Sequence, residues 1–245
     1  MPVHSISGGY ANTYLIEDRD SFVAIDVGTT KAANNIRHYL LHRSIDASSL
    51  RMVTATHFHI DHVGGIARLV QLFPKIRTCF FTMVGDYLNG KEKICLFSPP
   101  MWIKYLLPII IAEDNHIKNT VAALFSSKAG IPLPFLRTKF LPSDYQAEGI
   151  LRENQPIPYL PHWKLIETPG HTDDSICFYS PDERTLISGD TILNIKGSGE
   201  LNNFCCNPHE IRESFKKLLP LNIKTIYPGH GDPLYHLDGL GRVAQ

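Results

Sequence analysis

The 245-residue chain lacks an excess of either charge: 24 Lys and Arg stand against 24 Asp and Glu. A protein whose affinity rests on phosphate contacts carries a basic surplus, so no nucleic-acid partner is expected. Cysteine is scarce, at five, and no pair has C-x-x-C spacing, which argues against a zinc ribbon or a thioredoxin-like motif. Cys79, Cys95, Cys177, Cys205 and Cys206 read as buried or free thiols of a reducing compartment, and the vicinal 205–206 spacing alone supports no redox pair. The first twenty residues hold no basic stretch leading into an apolar run. No signal peptide is therefore expected, and the expected location is cytoplasmic. Linkers, low-complexity tracts and short repeats are also missing, while 43% of residues are apolar. One packed domain over residues 1–245 is the expectation.

Long hydrophobic runs are nearly absent too. Residues 94–112 approach the length of a membrane span, but Pro99, Pro100 and Pro108 interrupt them and Lys104 would sit near the bilayer centre. No span is expected. The surrounding segment, about 80–155, is rich in Pro, aromatic and bulky aliphatic residues without strand alternation. It reads as an apolar, helical insertion covering either a substrate pocket or a homodimer contact. Trp102, Tyr105, Leu106, Leu107 and Ile109 to Ile111 would line a channel for an apolar acyl or aromatic group.

What is present is a regular alternation of strands and helices. Residues 11–18 and 22–28 are β-rich runs joined across Arg19, Asp20 and Ser21, a hairpin pattern. Residues 31–44 carry Ile36, Tyr39 and Leu40 at helical spacing, and residues 51–56 form a further strand. Val63, Ile66, Leu69, Val70 and Phe73 then fall on one helical face that stops before Pro74. The same grammar returns after residue 162: strand and Pro-Gly loop, strand–turn–strand, helix, strand and Gly-rich loop. Asn207, Pro208 and Glu210 supply the N-cap, first-turn proline and capping acid of that later helix. Such alternation favours layered sheets with helices outside.

The sharpest feature is His57-Phe58-His59-Ile60-Asp61-His62, four strong metal ligands in six residues at the end of a strand. Extended backbone puts His57 and His59 on one side, and the turn into the following helix swings Asp61 and His62 toward a second position. One segment can thus feed two metal ions. His171, Asp190 and His230 also stand where β-rich runs break into loops, and a glycine precedes each: Gly170, Gly189 and Gly229. A lone loop histidine is ordinary surface. Together, however, the seven residues form a set of imidazoles and carboxylates suited to zinc, iron or manganese.

The ordered set H-x-H-x-D-H, H, D and H resembles the metallo-β-lactamase superfamily over the whole chain except the 80–155 segment. The resemblance implies an α/β (α+β) fold: a four-layer αββα sandwich of two stacked mixed β-sheets with helices on both outer faces. It further implies that His57, His59 and His171 hold one metal, that Asp61, His62 and His230 hold a second, and that Asp190 bridges both. Two divalent ions, zinc foremost, would generate a bridging hydroxide that attacks an electrophilic centre. Asp61 would orient that nucleophile or take its proton.

Departures from individual branches narrow the expected reaction. Zinc β-lactamases generally lack the bridging aspartate that Asp190 provides. Only fifteen residues follow His230, so the helical glutathione-binding domain of glyoxalase II is not expected. Leu193 stands where lactonases of homoserine lactones carry a tyrosine. The reading is a cytoplasmic metallo-hydrolase of a small-molecule ester, thioester or lactone. The alternatives are a mononuclear-iron, persulfide dioxygenase-like oxidoreductase and a phosphodiesterase. Asp26 and the pair Asp173-Asp174 are candidates for orienting the ligands, or for capping a turn and meeting solvent.

Overall fold

A computed structural model of the chain describes residues 1–88, 91–95, 149–195, 198–237 and 240. Most of the 80–155 segment, with Trp102, Tyr105 and the expected homodimer face, lies outside the described residues, and so does almost all of the 94–112 run. Among the described residues, no helix is long and apolar enough to cross a membrane.

The first sheet grows from the expected hairpin. β1 (Val3–Ile6) pairs antiparallel with β2 (Thr13–Asp18), which turns at Arg19 into β3 (Ser21–Ile25). Parallel strands β4 (Leu50–Thr54), β5 (Arg77–Phe81) and β6 (Gly149–Leu151) complete a six-stranded mixed sheet in sequence order. Helix α1 (Thr30–His42) starts where the Thr29 hydroxyl accepts from the Ala32 N–H. The run from Val63 to Phe73 is not one helix. It divides into α2 (Ile60–Val63) and α3 (Ile66–Leu72), because the Gly65 N–H leaves the helical ladder for the Val27 carbonyl at 2.8 Å. α4 (Thr82–Leu88) follows β5 directly.

The second sheet is four-stranded and mixed. β7 (Lys164–Glu167), β8 (Ile176–Ser180) and β9 (Thr185–Gly189) are antiparallel, and β12 (Thr225–Pro228) adds parallel to β9. A hairpin not evident from sequence, β10 (Ile192–Ile195) with β11 (Ser198–Leu201), leads toward α5 (Pro208–Leu218). The Asn207 side chain caps α5 by accepting from the His209 and Glu210 N–H groups.

Strand alternation separates three buried layers. In β2 and β3, Leu15, Phe22 and Ala24 face α1 and α3, while Tyr14, Ile16, Val23 and Ile25 face the second sheet. In β8, Phe178 and Ile176 meet them from the other side, whereas Cys177 and Tyr179 pack with Ile211 and Phe215 of α5. The result is the expected αββα sandwich. Removing both faces of each sheet from water at about 25 cal/mol per Å² of apolar surface is its main driving force.

The free-thiol reading is corrected at one pair: Cys95 and Cys206 form a disulfide across 111 residues of sequence. Cys79, Cys177 and Cys205 are free and buried, so the vicinal cysteines do not pair with each other.

Candidate metal centre

All seven sequence-derived ligands converge at one edge of the sandwich, where β4, β7, β9 and β12 end in loops. The loop after β4 carries His57, His59, Asp61 and His62; the loops after β7, β9 and β12 bring His171, Asp190 and His230. Three groups each have donor atoms within 4.8 Å of one another: His57, His59 and His171; His57, His62 and Asp190; Asp61, His62 and His230. His57 Nε2 lies 3.1 Å from His59 Nδ1, and His171 Nε2 lies 3.2 Å from the same atom. Asp190 stands between the triads, Oδ2 at 3.5 Å from His171 Nε2 and 3.4 Å from His230 Nε2, Oδ1 at 3.5 Å from His62 Nε2. Asp61 Oδ2 is 3.4 Å from His230 Nε2.

Glycine makes this approach possible. At Gly229 a Cβ would fall 2.0 Å from Asp190 Oδ1, and the Gly229 N–H donates to the Gly189 carbonyl at 2.7 Å. Gly189 adopts a left-handed φ of 49°, and a Cβ there would meet the Thr56 hydroxyl at 2.4 Å. Only hydrogen fits at either position.

The ring nitrogens turned away from the centre are also provided for. His57 Nδ1 is 3.2 Å from the Thr56 hydroxyl, which donates to Asp26 Oδ2 at 2.8 Å. His59 Nε2 faces the Cys95 carbonyl at 3.2 Å, and His171 Nδ1 faces the Phe204 carbonyl at 2.8 Å. His62 Nδ1 lies 3.0 Å from Asp26 Oδ2. An acceptor behind an imidazole keeps the proton on the far nitrogen and leaves the near lone pair free for a cation. Asp26, fully buried at a left-handed φ of 59°, therefore orients His62 and, through Thr56, His57. Its role as a turn cap is the weaker half of the expectation.

The electrostatics divide the site. Burial holds His57 well below the usual imidazole range, reinforced by His62, His59 and His171. Burial also lowers His59, and it lowers His171 to about 4. Burial acts against the charged forms of Asp61, Asp190, His62 and His230 as well, but opposite charges outweigh it there. His62 and His230 depress Asp61 and Asp190; Asp26, Asp190 and Asp61 lift His62 to about 10; and Asp190 and Asp61 raise His230.

Two buried atoms 3.5 Å apart, His62 Nε2 and Asp190 Oδ1, have no hydrogen-bond partner among the described residues. Burying such atoms unpaired is costly, and a cation between them would satisfy both. The donor set, five imidazoles and two carboxylates, fits a pair of divalent transition-metal ions.

The sequence profile of the metallo-beta-lactamase superfamily matches residues 6–80 and 113–230. The chain belongs to that superfamily. Its relatives include the probable metallo-hydrolase YflN of Bacillus subtilis, 27% identical over 95% of this chain and 84% of that protein. The beta-lactamase-like protein 2 homolog of Caenorhabditis elegans is 44% identical over 90% of this chain. The atrochrysone carboxyl ACP thioesterase of Aspergillus fumigatus is 23% identical, again over 90%. The chain spans 55% and 50% of those two proteins. Among solved structures, the BLEG-1 B3 metallo-beta-lactamase superposes with a TM-score of 0.63 at 17% identity, covering 96% of this chain and 94% of that one. TTHA1623 in a di-iron-bound form gives 0.59 at 20% identity, with the same coverage of both chains. The fold is that of the superfamily, and the superfamily is one of metallo-hydrolases.

Two residues at the centre escaped the sequence reading. Tyr10, in the loop between β1 and β2, places its ring 4.8 Å from that of His230. Asn202 donates to the Asp190 carbonyl at 2.9 Å and accepts from the Phe204 N–H at 2.9 Å, holding the loop that backs His171. No local motif marks either one. The Asp173-Asp174 pair splits: Asp173 is exposed and Asp174 is buried.

Proposed function

We propose that the chain is a dinuclear metallo-hydrolase of ester, thioester or lactone bonds. His57, His59 and His171 would hold one ion, Asp61, His62 and His230 the other, with Asp190 shared. The observation that carries this reading is the convergence of seven donors whose outward nitrogens, in four of the five histidines, already face an oxygen acceptor. Two divalent ions bound there would supply an acidified water and a Lewis acid for the scissile carbonyl oxygen. Asp61 sits at the mouth, its side chain 19% exposed, and its depressed carboxyl is ionised at neutral pH. Its Oδ2 would orient the attacking water and receive the proton that water loses as the oxygen–acyl bond forms. The leaving alkoxide or thiolate would then take up the proton held by Asp61.

The thioesterase among the relatives supports an acyl substrate, and the imidazole-rich set supports zinc as the resident metal. The di-iron form of TTHA1623 makes iron the second candidate. A single iron, as in the oxygenase alternative, would leave Asp61, His62 and His230 without a cation, which weighs against that reading. The test is a panel of p-nitrophenyl esters, acyl thioesters and lactones, assayed on chelator-stripped protein and after return of Zn²⁺, Fe²⁺ or Mn²⁺. Metal-restored turnover of at least one class is expected. Equal turnover with and without metal, or activity confined to phosphodiesters, would overturn the proposal.

A further inference from the structure

His230 differs from His57, His59, His62 and His171. Each of those faces an oxygen acceptor behind its ring, and none stands behind His230 among the described residues. Its turn is held instead by the loop between β1 and β2. The Asn12 backbone N–H donates to the Gly229 carbonyl at 2.7 Å. The side-chain amide of the same residue donates to the Pro228 carbonyl at 2.9 Å and to the Gly231 carbonyl at 2.6 Å. An asparagine amide carries a pair of N–H donors, and both serve this turn. One residue thus holds the carbonyls of residues 228, 229 and 231, with His230 among them. The Asn194 N–H adds a further restraint at the His230 carbonyl, at 3.2 Å. Near Asn12 in the same loop, the Tyr10 ring lies against the His230 ring, with centroids 4.8 Å apart and planes tilted by 56°.

A single backbone bond would be enough to dock one loop on another. Here every Asn12 donor goes to a carbonyl flanking one ligand, and a neighbouring aromatic ring meets the imidazole of that ligand. The direction of an imidazole without an acceptor behind it depends on where its backbone is fixed and on what its ring rests against. We infer that Asn12 and Tyr10 are positioning residues for His230: Asn12 fixes its turn, and Tyr10 steadies its ring. Together they aim Nε2 at Asp61 and Asp190, whose nearest oxygens both stand 3.4 Å from it. The inference rests on the reading of Asp61, His62 and His230 as a metal site. Both residues act through His230.

The test is Zn²⁺ affinity of chelator-stripped protein, measured by competition with a chromophoric chelator, alongside the melting temperature of the metal-free form. Asn12→Ala is compared in the His171→Ala background, which retains the second triad, and in the His230→Ala background, which retains the first. In the His171→Ala background the remaining ion should bind about tenfold more weakly, the scale of losing an outer partner of a ligand. With His230 itself removed, affinity should stay within about threefold, below that scale. Asn12→Asp keeps the shape but turns an acceptor toward a carbonyl, so it should weaken the second ion at least as much. Tyr10→Ala should weaken that ion several-fold, whereas Tyr10→Phe keeps the ring and should retain most of the affinity. The Tyr10 pair decides the matter alone if the Asn12 variants do not fold. Unchanged second-ion affinity in both Asn12→Ala and Tyr10→Ala would overturn the inference, as would equal weakening in both backgrounds. If the otherwise unmutated protein binds no Zn²⁺, the metal-site reading itself fails, and this inference falls with it.

Discussion

The two sheets contribute unequally to the same site. The first supplies four of the proposed ligands from one continuous loop, backed by Asp26 and Thr56. The second supplies three ligands from three loops, two of which press together where Gly189 and Gly229 leave no room for a Cβ. A contiguous motif can be set by side-chain hydrogen bonds to its own backbone. Separate loops have no such shared frame, so their alignment rests on backbone packing between neighbouring turns. Substitutions on the two sides should therefore fail differently: by reorientation of imidazoles on the first, by displacement of whole loops on the second.

Asp190→Ala should have the largest effect. It removes a carboxylate that lies within 3.5 Å of His62, His171 and His230. Both ions should be weakened by more than the ~10–100-fold that loss of an outer partner costs, as read by metal content after dialysis. Gly229→Ala comes next, because the added methyl would overlap Asp190 Oδ1 and force the turns apart. A loss of about 1–3 kcal/mol of stability is expected, with activity falling alongside the melting temperature. Asp26→Ala attacks the other side. It should cost ~10–100-fold in metal affinity, borne most by the ion that His62 holds, since His62 Nδ1 loses the carboxylate 3.0 Å away, and less by the ion that His57 holds, which Asp26 reaches through Thr56. If Gly229→Ala and Asp26→Ala gave the same pattern of metal loss, the contrast between the sheets would not hold.

A further effect, spread over about two pH units, is a pH slope on stability. Burial raises the Asp174 carboxyl to about 6, and the hydrogen bonds from Thr172, Phe58 and Tyr87 only partly offset that. Asp173 and Glu92 also act on Tyr87, so the nearby charges are negative too. The native state then holds a proton that the unfolded chain has already lost near pH 4. Stability should fall as pH rises from about 4 through about 6, by up to ~3 kcal/mol for a shift of two units. Asp174→Asn should flatten that slope in chemical denaturation of the metal-free protein; an unchanged slope would place its origin elsewhere.

The same contrast explains what could be read in advance. The contiguous H-x-H-x-D-H motif needs only strand alternation and a turn, and the hairpin at 13–25, α1 and α5 follow from local periodicity and caps. His171, Asp190 and His230 were legible only as an ordered set, because each alone is an ordinary loop residue. Neighbouring Asp173 and Asp174 look equivalent in sequence; tertiary packing exposes one and buries the other. The break at Gly64 and Gly65 depends on a carbonyl from Val27, and the Cys95–Cys206 pairing on a contact across 111 residues. Neither leaves a local trace. Tyr87 has the same character, since its partner lies 87 positions away.

These seven side chains are proposed to form a two-ion centre. Its most direct test is elemental analysis of protein stripped with chelator, reloaded and desalted, beside His171→Ala and His230→Ala prepared identically. Two ions per chain in the parent protein and one in each variant is the predicted result. One ion or none in the parent, or two retained in either variant, would contradict it.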